Sequence, residues 1–107
     1  MDIWIEGYHA MFLEDPMRFE DVDAMARIVD KTHITIATGE RLSTIYEFQV
    51  LVTRNAVKYE RVDVCLCGGI TGSRKVAVMA EVHNVMVGLH YPLSPIGLVA
   101  CLQLDAA

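Results

Sequence analysis

The sequence predicts an α/β fold of four consecutive parallel β/α units, a partial (β/α)8 barrel. Three observations lead there. Short apolar runs rich in β-branched residues alternate with helix-patterned stretches. The runs begin near residues 11, 34, 62 and 85, so the unit repeats every 23 to 28 residues. Each run ends at, or contains, an acid or an imidazole: Glu14, Glu40, Asp63 and His90. Strict alternation implies a parallel sheet with right-handed crossovers. In such sheets the chemistry sits just past the C-terminal ends of the strands. A complete eightfold barrel takes about 250 residues, so the 107 residues of this chain make half of one. A small open doubly wound sheet fits the same pattern.

Residues 1–10 read as a helix tail or a linker. The first strand is Met11-Phe12-Leu13, with Glu14-Asp15-Pro16 after it. From Asp21 to Asp30, Val22, Met25, Ala26 and Val29 form the i, i+3, i+4, i+7 stripe of an amphipathic helix. The strand Ile34 to Thr38 is a continuous apolar run, as a strand covered on both faces should be. It breaks at Gly39-Glu40-Arg41. Thr44-Ile45-Tyr46-Glu47 is a capping-box pattern that opens a helix to about Arg54. The third strand is placed at Val62–Leu66, followed by the glycine-rich Gly68–Ser73 and a helix from about Ser73 to His83, with Val76, Met79, Ala80 and His83 on one stripe. The fourth strand is Val85–Leu89. Ser94-Pro95 then supplies an N-cap and a first-turn proline for the helix Ile96–Leu104, which is apolar almost all round and so is buried or forms an oligomer contact.

Composition excludes several classes. The net charge is −5 and no basic cluster exists, which argues against nucleic acid. The N-terminus has no basic region before an apolar run, so no signal peptide is expected. Val82 to Leu104 lacks Lys, Arg, Asp and Glu, but His83, Asn84, His90, Pro92 and Pro95 interrupt it, so no membrane partner is expected. Cys65, Cys67 and Cys101 lack metal-site spacing. Cys65 and Cys67 fall on one face of the expected strand, and all are read as buried free thiols of a cytoplasmic protein. Met11, Met25, Met79 and Met86 are read as core filling. His9, His33 and His83 are read as surface residues. The Gly68–Gly72 stretch could cradle a phosphate but lacks the Gly-Lys-Ser/Thr ending of a P-loop.

Four segments carry a family resemblance: Phe12-Leu13-Glu14-Asp15-Pro16, Ala37-Thr38-Gly39-Glu40-Arg41, Asp63 with Gly68-Gly69-Ile70-Thr71-Gly72, and His90-Tyr91-Pro92-Leu93-Ser94-Pro95. They resemble the enolase superfamily, in its mandelate racemase/muconate-lactonizing branch. Gly39-Glu40-Arg41-Leu42 and the ending Ala100 to Ala107 are most similar to the D-galactonate dehydratases and related acid-sugar dehydratases. The resemblance covers about Tyr8 to Ala107 and implies the family's strands four to seven. It implies a single partial barrel domain over 1–107, with the capping domain, the first strands and the last strand lying outside the chain.

The resemblance also implies the chemistry. Family members remove a proton α to a carboxylate, aided by Mg²⁺ on three strand-end acids. Glu14 matches the second metal ligand and Glu40 the third. The first ligand, and the acid histidine of the dehydratases, would precede this chain. Asp63 and His90 match a dyad in which the carboxylate orients the imidazole, and His90 would be the base. Arg41 is a candidate substrate contact or a surface ion pair. Thr35, Val62 and Leu89 stand where family members commonly carry proline, and Tyr91 replaces a smaller polar residue.

The physical reason for the donor set is plain. Deprotonation beside a carboxylate builds charge that a divalent cation offsets. Adjacent strand ends lie about 4.8 Å apart, within reach of one ion. The implied activity is that of a Mg²⁺-dependent acid-sugar dehydratase fragment with a sugar acid such as D-galactonate as substrate. A non-catalytic remnant, or a racemase or cycloisomerase fragment, stays open. Free edge strands and the apolar last helix also point to self-association, or to pairing with the missing half-barrel. Short of that partner, the chain is expected not to catalyse dehydration.

Overall fold

The computed structural model describes residues 5, 7–91 and 94–107. Part of the stretch read as a helix tail or linker, and Pro92-Leu93 of the turn before the last helix, lie outside them. Among the described residues four strands alternate with four helices. They are β1 (Leu13–Glu14), α1 (Val22–Lys31), β2 (Ile36–Thr38), α2 (Ile45–Thr53), β3 (Tyr59–Asp63), α3 (Gly69–Val82), β4 (Met86–His90) and α4 (Pro95–Asp105). The strands pair in the order β1-β2-β3-β4, and every pairing is parallel. The sheet is open: β1 and β4 are its edges.

Local chemistry starts the helices. The Asp21 carboxylate accepts from the Ala24 amide at 2.8 Å, capping α1. At α2 the capping box is complete: Thr44 Oγ1 accepts from the Glu47 amide, and Glu47 Oε2 accepts from the Thr44 amide at 2.9 Å. The Thr44 hydroxyl, then the Ser43 amide, hold the Glu47 carboxyl below its ordinary pKa. Ser94 Oγ accepts from the Gly97 amide at 3.3 Å to open α4, with Pro95 in the first turn. Each such cap contributes about 1 kcal/mol.

The core lies between sheet and helices. Met25 of α1, Phe48 and Val52 of α2, and Val76 and Ala80 of α3 meet Ile36 of β2 and Val62 of β3. The α3 helix touches both β3 and β4 and packs between α2 and α4. Successive residues of a strand face opposite sides. In β3, Glu60 and Val62 are buried toward the helices, while Tyr59 and Arg61 are half-buried on the other face.

Four readings need correction. The third strand starts at Tyr59, not Val62, and ends at Asp63. The polar look of Tyr59-Glu60-Arg61 conceals it. Cys65 and Cys67 therefore sit in the turn after β3 and share no strand face: Cys65 is exposed and Cys67 buried. The Gly68–Ser73 stretch is mostly helix rather than loop, since α3 begins at Gly69 with Gly68 as its left-handed cap. Met25 is buried and Met79 packs on the core, but Met11 and Met86 are 69% and 57% exposed. They belong to the edges of the open sheet, where no further strand covers them. The apolar α4 buries only Gly97 and Cys101 among its described residues, leaving Ile96, Leu98, Val99 and Leu102 exposed.

Candidate active site

The four strand-end residues gather at one rim because each parallel strand runs the same way. Glu14 ends β1, Asp63 ends β3 and His90 ends β4, while Glu40 follows β2 by two residues. The register sets Asp63 directly beside His90 across the β3–β4 pairing. Glu40 reaches the rim through Gly39, whose φ is +131°. A Cβ at Gly39 would lie 2.8 Å from the Phe48 ring and 3.1 Å from the Arg61 carbonyl oxygen. Only glycine takes that backbone conformation at such close quarters.

Asp63 is almost wholly buried, and its carboxylate is fixed from its own turn. Oδ1 accepts from the Cys65 amide at 2.8 Å and from the Leu66 amide at 3.3 Å. Oδ2 lies 3.4 Å from His90 Nδ1. The other ring nitrogen, Nε2, lies 2.9 Å from Glu40 Oε2. The imidazole is therefore held between two carboxylates, one buried and one partly exposed. Glu40 Oε1 also lies 3.4 Å from Arg41 Nε. The Arg41 side chain is mostly exposed, with its guanidinium 5.7 Å above the Phe19 ring. Its visible role is a surface ion pair.

Glu14 meets a different partner. Its Oε1 accepts from Arg61 Nε at 2.8 Å. Arg61 Nη1 donates to the carbonyls of Gly88 and Leu89 at 3.1 and 3.3 Å. Next to Glu14, Asp15 has a φ of +46°, and its Oδ1 accepts from Thr38 Oγ1 at 2.6 Å. The structure thus brings Glu40, Asp63 and His90 together and turns Glu14 toward Arg61. Sequence reasoning missed Arg61 and Asp15. Arg61 falls before Val62, where the sequence reading began the third strand, and no local pattern in Tyr59-Glu60-Arg61 marks it.

As they stand, these residues do not fit a Mg²⁺ ion. The oxygen chemistry of Glu14 and Glu40 is suitable, but one acid is engaged by a guanidinium and the other by an imidazole. Among the described residues no group of three or more His, Cys, Asp or Glu side chains could hold a metal.

Behind the rim lies another acid that the sequence reading passed over. Glu60 is 0% exposed, and among the described residues neither of its carboxylate oxygens has a hydrogen-bond partner. Burial pushes its pKa up to about 8. Burial, then the charge of Glu60, raises the pKa of the Cys67 thiol. Burial likewise raises that of Cys101. Among the described residues no helix is long and apolar enough to cross a membrane.

Comparison with known proteins agrees with this architecture. The chain is 38% identical over 101 residues to D-galactonate dehydratase of Ralstonia nicotianae, an alignment that takes in 94% of this chain and 26% of that protein. It superposes on the 3,6-anhydro-D-galactonate cycloisomerase of Zobellia galactanivorans with a TM-score of 0.94 at 30% identity, covering 98% of this chain and 30% of that one. An enolase from Agrobacterium radiobacter, crystallised with Na and L-malate, superposes with a TM-score of 0.85 at 30% identity, covering 89% of this chain and 24% of that one. The chain thus spans about a quarter of the length of the curated relative it matches. The enolase C-terminal domain-like model matches residues 3–107, and with four parallel β/α units in sequence order the chain belongs to that family.

Proposed function

We propose that this chain is the part of an acid-sugar dehydratase barrel that carries the proton-abstracting base. His90 is the base, Asp63 the carboxylate that orients it, and a sugar acid such as D-galactonate the substrate. One observation carries the reading: His90 Nδ1 faces a buried carboxylate that two backbone amides fix in place. A carboxylate so held fixes the ring orientation and stabilises the imidazolium once a proton has been taken. That leaves Nε2 as the atom that receives the proton α to the substrate carboxylate. Glu40 lies against Nε2, so it must turn aside when substrate enters. Arg41, beside Glu40, is the candidate contact for the substrate's carboxylate or hydroxyls.

Similarity to a D-galactonate dehydratase supports the substrate class. Similarity to a cycloisomerase supports a second reading with the same base and a different product. The test is to build residues 11–107 into the barrel of the Ralstonia relative in place of the matching segment, and to supply D-galactonate. The expected result is a 2-keto-3-deoxy acid, with His90→Asn abolishing its formation. A rearranged sugar acid in its place would favour the cycloisomerase reading. Turnover indifferent to His90→Asn would sink both.

A further inference from the structure

We propose that Arg61 is the resident counter-cation of this rim, neutralising Glu14 in the place where a strand-end acid would otherwise take up a divalent ion. Four independent contacts hold the guanidinium. Nε donates to Glu14 Oε1 at 2.8 Å, and Nη1 donates to the Gly88 and Leu89 carbonyls at 3.1 and 3.3 Å. The Phe12 ring lies 5.5 Å from its central carbon, within cation–π range. The slot is shaped for it as well: a Cβ on Gly88 would come within 3.0 Å of Nη1. Arg61 therefore spans the sheet from β1 to β4 across its own strand.

The chemistry of the contacts favours exclusion of a metal. The Arg61 and Glu14 side chains are 18% and 32% exposed, so the pair is partly shielded from water. A charge-assisted bond in that setting is stronger than an exposed one. A Mg²⁺ ion needs near-octahedral oxygen ligands and gives up its water reluctantly. To reach Glu14 it would have to displace a fixed positive charge, and two backbone carbonyls would lose their donor. The inference rests on reading Glu14 as an acid of the reaction rim, but not on His90 being the base.

The test titrates Mn²⁺, a spin-active stand-in for Mg²⁺, into the folded chain and follows free ion by electron paramagnetic resonance. Arg61→Gln should bind Mn²⁺ about tenfold or more tightly than the unaltered chain, the scale of one charge-assisted bond. Adding Glu14→Gln should remove that gain. Equal affinity in the unaltered chain and Arg61→Gln would overturn the proposal, as would a gain that survives Glu14→Gln. The unaltered chain gives a second measurement that needs no substitution. Its Arg61 Nε–H resonance should hold still as Mg²⁺ is raised, and a saturating shift would overturn the proposal. Neither readout involves turnover, so His90 can fail as the base while Arg61 still excludes the ion, and the reverse.

Discussion

Asp63 and Glu60 stand three residues apart on β3, both acids and both removed from water, yet on opposite terms. Asp63, at the rim, receives two backbone amides and lies against an imidazole. Glu60, between sheet and helices, receives no hydrogen bond from the described residues. Burial alone does not decide what a carboxylate can do; the donors around it do. At the rim the donors turn a buried acid into an orienting group. In the core their absence leaves an acid that is most comfortable when protonated.

This difference can be broken from either side. The largest effect should come from pH. Glu60 has a folded-state pKa of about 8 against an ordinary 4.5, so its folded form holds a proton that the unfolded chain gives up. Its contribution is fully present below 4.5 and falls away as pH rises to about 8, for a loss on the order of 5 kcal/mol across that window. Urea unfolding as a function of pH should show the fall, and Glu60→Gln should flatten it. A stability that stays level between these limits would mean that Glu60 finds a partner in solution.

Next in size, Glu60→Leu should stabilise the chain at pH 7 by roughly 3 kcal/mol, since it removes the cost of the unpartnered carboxyl and fills the space with apolar carbon. Asp63→Ala should do the opposite. It strands the Cys65 amide, while the Leu66 amide keeps the Asp63 carbonyl, and should cost about 1–3 kcal/mol in the same measurement. Opposite signs at two buried acids of one strand are the sharpest form of the comparison. The smallest effect belongs to Arg41→Ala, which breaks an exposed pair and should shift stability by less than about 1 kcal/mol. A larger loss there would give Arg41 a structural role that its exposure does not suggest.

Much of this was legible in the sequence where the signals are local. Thr44 and Glu47, or Ser94 and Pro95, declare their helices within one turn, and the structure carries both caps. The order of the parallel strands follows from alternation and crossover handedness, which act unit by unit. The approach of Asp63 to His90 follows from register, once both are placed at strand ends. What could not be read depends on partners far along the chain. Arg61 meets Glu14 across 47 residues, and no spacing rule announces that pairing. Tyr59-Glu60-Arg61 lies outside the strand placed at Val62–Leu66, and a buried carboxylate without donors runs against the usual pattern. Met11 and Met86 were misassigned because an apolar residue in or beside a strand looks the same whether or not a neighbour covers it.

His90 is held between Asp63 and Glu40, one carboxylate at each ring nitrogen. Nitrogen-15 spectra of the histidine side chains test this directly. Asp63→Asn should perturb the Nδ1 signal of His90 more than its Nε2 signal, and Glu40→Gln should do the reverse. A His90 ring whose two nitrogen signals ignore both substitutions would contradict the arrangement, and with it the assignment of His90 as the base.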